Sequence, residues 1–546
     1  MFGIMQDWPL LLHRIIDHAA IHHPRREVVT RSVEGPIHRT GYAELRHRAL
    51  RVAQALRRDG MREGDRIGTL AWSTWRHLEA WFGITGIGAV YHTINPRLFP
   101  EQIAWIANHA EDRMLLADLN FVPLLEQLAP RLPTVERYVL LTDAAHMPGT
   151  SLRNAIPYEE WIAGCDGDTE WAALDERAAS GLCYTSGTTG NPKGVLYSHR
   201  SAVIHALVMA QPNGLALGVN DRVMPVAPMF HASAWGLPFV CPMVGAALVL
   251  PGARLDGASL HEMMETERVT FAAAVPTIFM TLHQHLEATG GRLSTLKRVM
   301  IGGSAVPRAM TESYWRRHGV RLLHGWGMTE MSPLGTLTLA KPEHGVADEE
   351  GWLDLSVKQG CPPFTVEIRI TDDDGRPLPW DGRTRGRLKV RGPAIARGYF
   401  RDEAGWLDAE GFFDTGDIAT IDPHGTVEIA DRAKDLIKSG GEWISSIELE
   451  NLAVAHPDVA EAAAIAARHP KWDERPLLLV VPKPGRAPSR EDLLRFLEGK
   501  VAKWWLPDDV VVVEALPHTA TGKVQKTALR EQWRDHLLRR EAAGGD

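Results

Sequence analysis

The chain has 546 residues, 45% of them hydrophobic and 23% charged, an ordinary composition for a globular protein with room for several cores, roughly three or four domain-sized units. A formal net charge of -8 and a pI near 6.3 argue against a nucleic-acid partner held on a basic face. Four cysteines (Cys165, Cys183, Cys241, Cys361) without paired or metal-ligand spacing read as reduced thiols of a cytoplasmic protein, and 24 scattered histidines as surface or capping residues.

The N-terminus, Met1-Phe2-Gly3-Ile4-Met5-Gln6-Asp7, has neither a basic flank nor a long apolar run, so no signal peptide and no transmembrane segment are expected. Peripheral membrane contact and a homodimer stay open. From about residue 40 the pattern alternates. Leu45, Ala49, Val52 and Leu56 share a helical face, with Thr40 as the expected N-cap and Gly60 as the stop. A strand at 67–71, a helix at 79–85 ended by Gly86, a strand at 89–94, a helix opened by Pro100 and an apolar run at 114–117 follow. Such alternation predicts an α/β fold with parallel sheets covered by helices. After about residue 360, tight turns such as Asp373-Asp374-Gly375 and Asp422-Pro423-His424-Gly425 separate short alternating strands, which predicts a small β-rich unit. Beyond Asp431-Arg432 a compact α+β unit is expected. Its elements are a helix at 447–454, strands at 462–466 and 477–481, a helix at 490–501, a strand at 509–514 and a last helix past Lys526.

The stretch Tyr184-Thr185-Ser186-Gly187-Thr188-Thr189-Gly190-Asn191-Pro192-Lys193-Gly194-Val195 stands out. Its glycines let backbone approach a polyphosphate, its hydroxyls and amides donate to phosphate oxygens, and Lys193 adds a compact charge. It is not the common P-loop, which needs Gly-Lys-Ser/Thr opening a helix. Pro192 before the lysine and Gly194 after it predict a mobile loop between strands.

This loop resembles the signature of the acyl-adenylate-forming superfamily, which includes acyl-CoA synthetases, peptide-synthetase adenylation domains and beetle luciferases. Further matches run in the family's order: Pro228-Met229-Phe230-His231, Gly302-Gly303-Ser304-Ala305, Gly325-Trp326-Gly327-Met328-Thr329-Glu330, Thr415-Gly416-Asp417, Asp431-Arg432-Ala433-Lys434-Asp435 and Thr521-Gly522-Lys523. The resemblance implies a large N-terminal domain (1–430) of two helix-covered sheets plus a small β-barrel at about 360–430. A hinge at 431–434 and a mobile α+β lid at 435–546 complete it. It also implies ATP, Mg²⁺ and CoA as partners of a carboxylic acid. A carboxylate is a poor acyl donor; attack on the α-phosphate of ATP makes an acyl-adenylate, from which a thiol displaces AMP, so positioning and charge neutralisation carry the catalysis.

By resemblance, Thr185, Ser186, Gly187, Thr188, Thr189, Gly190, Lys193 and Thr329 contact phosphates, and Glu330 with Thr185 would hold Mg²⁺, the chemistry of a hard cation. Gly303, Ser304, Ala305, His324, Gly325 and Gly327 belong to the nucleotide pocket. Trp326 replaces the family's usual tyrosine, keeping a ring that stacks on adenine. Asp417 and Arg432 match the ribose-binding pair. Lys523 matches the lysine that bridges the carboxylate and the α-phosphate during adenylation. Lys434 and Lys438 are implied as further nucleotide contacts, Lys438 and Lys523 with catalytic roles. Lys434 also stands at the hinge, whose rotation would bring Lys438 against the acyl-adenylate and open a pantetheine tunnel along Gly440, Gly441, Glu442 and Trp443. His231 is a candidate base for the thiol and equally a packing residue of the acyl pocket.

The acyl pocket is expected among Phe230, His231, Ala234, Trp235, Met331 and Leu334, with no basic residue to pair a second carboxylate, so an apolar tail is favoured. The run Met229–Gly236 resembles fatty acyl-CoA synthetases in which such a tryptophan gates the tunnel. His92-Thr93-Ile94-Asn95-Pro96-Arg97-Leu98-Phe99 and Lys471-Trp472-Asp473-Glu474-Arg475-Pro476 resemble bacterial medium-chain fatty acyl-CoA ligases, and methylmercaptopropionate-CoA ligases share much of this pattern. The expected activity is therefore a medium-chain fatty acyl-CoA ligase. The alternatives are a 3-methylmercaptopropionyl, long-chain or aryl acyl-CoA ligase, or an adenylation domain loading a carrier protein. No carrier-domain serine motif follows Lys523, which makes CoA the simpler acceptor.

Overall fold

Four-residue runs such as Phe271–Ala274, Ala247–Leu250 and Val90–Thr93 are buried along their whole length, as strands of a parallel sheet covered on both faces must be. The computed structural model describes residues 3–185, 191–439, 442–518 and 524–542, with backbone only at 442, 541 and 542. Two large sheets dominate. The eight-stranded one runs in the order Leu334–Leu337, Arg321–Gly327, Arg298–Gly302, Phe271–Ala274, Arg222–Pro225, Ala247–Leu250, Glu27–Arg31, Ile37–Gly41. Only its two outermost pairs are antiparallel. The seven-stranded one runs Ala155–Pro157, Arg137–Leu140, Met114–Ala117, Arg66–Leu70, Val90–Thr93, Ala179–Tyr184, Gly194–Ser198, antiparallel only at the last pair.

A continuous apolar core joins the helices Leu12–His22, Tyr42–Arg58 and Trp75–Gly86 to both sheets. Thr74 caps Trp75–Gly86 by accepting from the His77 amide. The cap expected at Thr40 is a correction: Tyr42–Arg58 starts from Gly41 without a side-chain cap. Thr40 is instead paired with Val28 in the edge strand, so sheet pairing rather than capping takes its backbone.

The β-rich unit is a four-stranded antiparallel sheet, Glu367–Thr371, Gly386–Arg391, Phe413–Ile421 and Val427–Arg432. The smaller C-terminal part holds a five-stranded sheet. In it Val459–His469 and Asp473–Pro482 form an antiparallel pair, Asp509–Val512 joins the latter in parallel, and the helix Ser446–Val454 packs on Val459–His469. The helix expected to reach 501 stops at Leu497, ahead of the left-handed Gly499. No helix among the described residues is long and apolar enough to cross a membrane.

Candidate active site

Four neighbouring parallel strands, Arg222–Pro225, Phe271–Ala274, Arg298–Gly302 and Arg321–Gly327, end on the same edge of the larger sheet. The segments leaving those ends, together with the loop after Ala179–Tyr184, surround a cavity of about 720 Å³. Ligands of open α/β sheets collect at the carboxyl ends of strands because the diverging loops leave a crevice there. At Gly302 a Cβ would collide with the carbonyl of Gly325, so two strand ends run closer beneath the crevice than larger residues allow.

One end of the cavity is polar. Thr185 and Lys193 reach it from the two sides of the loop, tied together by Thr185 N–H to Lys193 O at 2.9 Å and Lys193 N–H to Thr185 Oγ1 at 3.2 Å. Residues 186–190 of the loop lie outside the described residues. Lys193 Nζ stands 3.9 Å from the centroid of Trp406 and 4.9 Å from that of Tyr399, a cation–π arrangement. Glu330 is buried, which raises its pKa, and the hydroxyl of Tyr399, 2.5 Å from Oε1, works in the opposite direction by hydrogen bonding to the charged form. The neighbouring Thr329 carbonyl accepts from Tyr197 at 2.7 Å. Lys193, Arg387, Arg432, Lys434 and Lys526 line the crevice with Glu330, Asp414 and Asp435; Arg387 pairs with Asp414 at 2.9 Å, so part of this positive charge is matched by a carboxylate.

Trp326 lines the cavity, and its indole N–H donates to Asp417 Oδ2 at 2.9 Å while Arg432 Nε holds the other carboxylate oxygen at 2.8 Å. Asp417 is thus a buried bridge between two residues of the cavity wall. Gly303, Gly325 and Gly327 line the cavity as well. His324 lies behind it, its Nδ1 on the Val357 carbonyl at 2.9 Å and its pKa lowered by burial to about 4. Ser304 and Ala305 follow Gly303 without lining the cavity.

The other end is apolar, formed by Ala232, Trp235, Val275, Met300 and Leu334, with His231 at the transition. Ala232, Ser233, Ala234 and Trp235 all have positive φ, from 40° to 54°, before Gly236 at 79°. Three sequence expectations differ in position. Phe230 packs on Trp72 at 5.6 Å, Met331 joins the core between Trp326 and the β-rich sheet, and Ala234 is buried in the main core; none of the three lines the cavity.

Lys434 lines the cavity, and its carbonyl accepts from Arg530 at 2.9 Å. Lys438 and Trp443 face each other across a short strand pair away from the cavity, with the ammonium 5.9 Å from the ring centroid. Gly440, Gly441 and Lys523 lie outside the described residues, as does the Glu442 side chain. The segment directly after Lys523, 524–527, does line the cavity. There Lys526, half-buried, pairs with Glu450 at 2.7 Å and donates to Ser446 Oγ at 2.5 Å. Tyr399, Trp406 and Lys526 join the site without a sequence signal: Tyr399 and Trp406 are seven positions apart and meet edge-on at 4.6 Å only in the fold.

The chain combines helix-covered parallel sheets, a glycine-lined crevice at the strand ends and a smaller α+β part, and it belongs to the family of AMP-binding enzymes. The family model for AMP-binding enzymes matches residues 16–400, and that for the AMP-binding enzyme C-terminal domain matches residues 448–523. Among its relatives, a 3-methylmercaptopropionyl-CoA ligase of Ruegeria pomeroyi is 49% identical, over 98% of this chain and 100% of the relative. A medium-chain-fatty-acid–CoA ligase of Ectopseudomonas oleovorans is 45% identical, over 99% of both. Of solved structures, the anthranilate CoA ligase AuaEII in complex with anthranoyl-AMP superposes with a TM-score of 0.86 at 25% identity, covering 98% of this chain and 100% of that one.

Proposed function

We propose that the chain is an ATP-dependent acid–thiol ligase. It converts a medium-chain carboxylic acid to its acyl-adenylate with release of pyrophosphate, then passes the acyl group to CoA. The observation that carries this reading is a single cavity with a cationic, hydroxyl-bearing end at Thr185, Lys193 and Arg432 and an apolar end at Trp235, Val275, Met300 and Leu334. Such a cavity suits a nucleotide and a fatty tail lying end to end, with the reacting carboxylate and α-phosphate between them.

In the first step the carboxylate oxygen attacks the α-phosphorus and pyrophosphate leaves with the bond electrons. Lys193, Thr185 and Thr329 neutralise and orient the phosphates, and Lys523 stabilises the charge that develops between carboxylate and phosphate. Trp326 takes the adenine, with Asp417 and Arg432 on the ribose. Among the described residues no group of three or more His, Cys, Asp or Glu side chains could hold a metal ion by itself; Glu330 and Thr185 both line the cavity and are hard oxygen donors of the kind that Mg²⁺ arriving with ATP takes. Bound there, Mg²⁺ would offset phosphate charge. The lid, hinged at 431–434, then turns about Lys434 and presents Lys438 and the 440–443 segment to CoA, whose thiol sulfur attacks the acyl carbon and expels AMP. The same reading makes it a cytoplasmic enzyme, in line with four unpaired cysteines; homodimer formation is checked by light scattering.

A second reading, a short thioether acid as substrate, is favoured by the 49% identity to the 3-methylmercaptopropionyl-CoA ligase. Acid-dependent pyrophosphate release with ATP, with and without CoA, across straight-chain, thioether and aryl acids decides between them. Medium-chain acids should give the highest kcat/KM, and an optimum at propionate-sized or thioether acids selects the second reading. Lys523→Ala should lose pyrophosphate release by orders of magnitude while still converting supplied acyl-adenylate to acyl-CoA. Equal loss in both half-reactions refutes its assigned role.

A further inference from the structure

The last paired residues before the phosphate loop are Tyr184 and Gly194. Both are gripped from outside the loop. Tyr184, 7% exposed, has its hydroxyl 2.7 Å from Nδ1 of His109. The Gly194 carbonyl accepts from the Phe400 amide at 2.7 Å, and a Cβ at Gly194 would press on Tyr184 and Phe400 at 3.1 and 3.2 Å.

The His109 ring is itself held, stacked on Trp105 at 4.7 Å and edge-on to Phe400 at 5.7 Å. Its carbonyl accepts from Arg401, which also pairs with Glu111 at 2.6 Å. The neighbour of Phe400 is Tyr399, which donates to Glu330 and underlies Lys193. One imidazole therefore joins three things that belong to different parts of the chain: the end of the helix Pro100–Ala110, the stem that delivers Thr185 and Lys193, and the segment that delivers Tyr399.

We propose that His109, acting through the Tyr184 hydroxyl, is a positioning residue for ATP: it sets where Thr185 and Lys193 stand relative to Glu330 in the cleft. This rests on the proposed ATP-dependent adenylation but not on the identity of the acid. A neutral or charged imidazole keeps the bond, since the phenol donates or accepts as required. Phosphate contacts lose strength steeply with misplacement, so a loosened stem weakens nucleotide binding without altering the acyl end.

The experiment measures the Kd of Mg·ATP by calorimetry on the full chain without acid, alongside KM for ATP and for the acid in pyrophosphate release. Tyr184→Phe removes only a hydroxyl, and His109→Phe keeps a ring between Trp105 and Phe400. Each should raise the Kd and KM for ATP about three- to tenfold, the effect of one lost hydrogen bond. KM for the acid should not move. The double variant should be no worse than either single one, because both delete the same bond. His109→Gln, which keeps a hydrogen-bonding group, should recover most of the loss. Unchanged ATP affinity in Tyr184→Phe, additive losses in the double variant, or an equal rise in the acid KM would each overturn the proposal. Wild-type protein that binds Mg·ATP but releases no pyrophosphate with any acid would sink the ligase reading alone, and the calorimetric comparison would still decide the role of His109.

Discussion

At the scale of single residues, the site works by pairing polar atoms that burial would otherwise penalise. Asp417 keeps both carboxylate oxygens engaged by Trp326 and Arg432, so the cost of burying a charge is offset by two charge-assisted or aromatic N–H donors. Trp235 is the residue whose role is sharpest to test. It is 7% exposed, contributes to the main core and also lines the apolar end of the cavity. Each methylene buried there contributes about 0.8 kcal/mol, so kcat/KM should climb roughly three- to fourfold per carbon until the pocket is full. Trp235→Ala should lengthen the preferred acid while leaving the KM for ATP within about twofold, the range of an untouched nucleotide pocket. A steady-state series over saturated acids checks this. A profile that keeps its optimum, accompanied by a stability loss of about 3–5 kcal/mol, would mark Trp235 as core alone.

At the scale of elements, two short segments carry conformations that regular structure does not supply. The turn Ala232–Gly236 is left-handed at five successive residues, four of them with side chains. L-residues prefer to avoid this region by roughly 1–2 kcal/mol each, and the surrounding core must hold the turn in place. Its reward is that Trp235 faces the cavity at the start of the helix Leu237–Val244. The other segment is the proposed hinge. The Lys434 carbonyl accepts from Arg530, and Arg530 also pairs with Asp435 at 2.5 Å, so the segment leaving the β-rich sheet is tied to the helix Lys526–Trp533. Lys434→Pro locks φ and restricts Ala433. Adenylation measured by pyrophosphate release should be affected by less than about threefold, and thioester formation from supplied acyl-adenylate should fall at least tenfold, a difference of about 0.7 kcal/mol or more between the two barriers. Equal rates for both half-reactions would show that rotation at this position is not needed.

At the scale of the whole molecule, the large N-terminal part buries a set of neutral histidines. Burial lowers His13, His77, His199 and His324 to about 4 and His205 to about 3. An unfolded histidine titrates near 6.5, so between that value and 4 the unfolded chain binds more protons and stability is lost as pH falls. Glu79 and Asp118, raised by burial to about 7, act in the opposite sense over much of the same window, because the folded state holds their protons while the unfolded chain releases them. Asp112, Glu330, Asp431, Glu448 and Glu450 are also raised by burial and act with them, while His18, His38, His109, His283, His318 and His344 are lowered by burial and act with the other histidines. The histidines remain the more numerous, so the melting temperature should drop between pH 7 and pH 5. Scanning calorimetry across that range checks the sign, and a rise on acidification would show that the buried carboxyl groups dominate. His77→Gln should flatten the slope, since its ring, on the Trp72 carbonyl and the Trp81 indole, would no longer titrate.

What the sequence determined by itself is what short-range chemistry can encode. The spacing of glycines, hydroxyls and one lysine in 184–195 needs no partner to be read, and neither does the alternation of strand and helix that produces two parallel sheets. The motif order carried the family and the candidates Thr185, Lys193, Trp326, Glu330 and Arg432, all of which meet in one cavity. The tertiary structure decided everything that depends on which distant segments come to lie against one another. Tyr399 reaches Glu330 across 69 positions, and His109 reaches Tyr184 across 75; neither pair has a local signature, because a hydrogen bond constrains separation in space and not along the chain. Thr40 lost its cap to a strand partner, and Phe230, Ala234 and Met331 went into packing beside the cavity. Side-chain type restricts a residue to an apolar surrounding, but whether that surrounding is the wall of a pocket or solid core is set by how the sheets and the left-handed turn close around it.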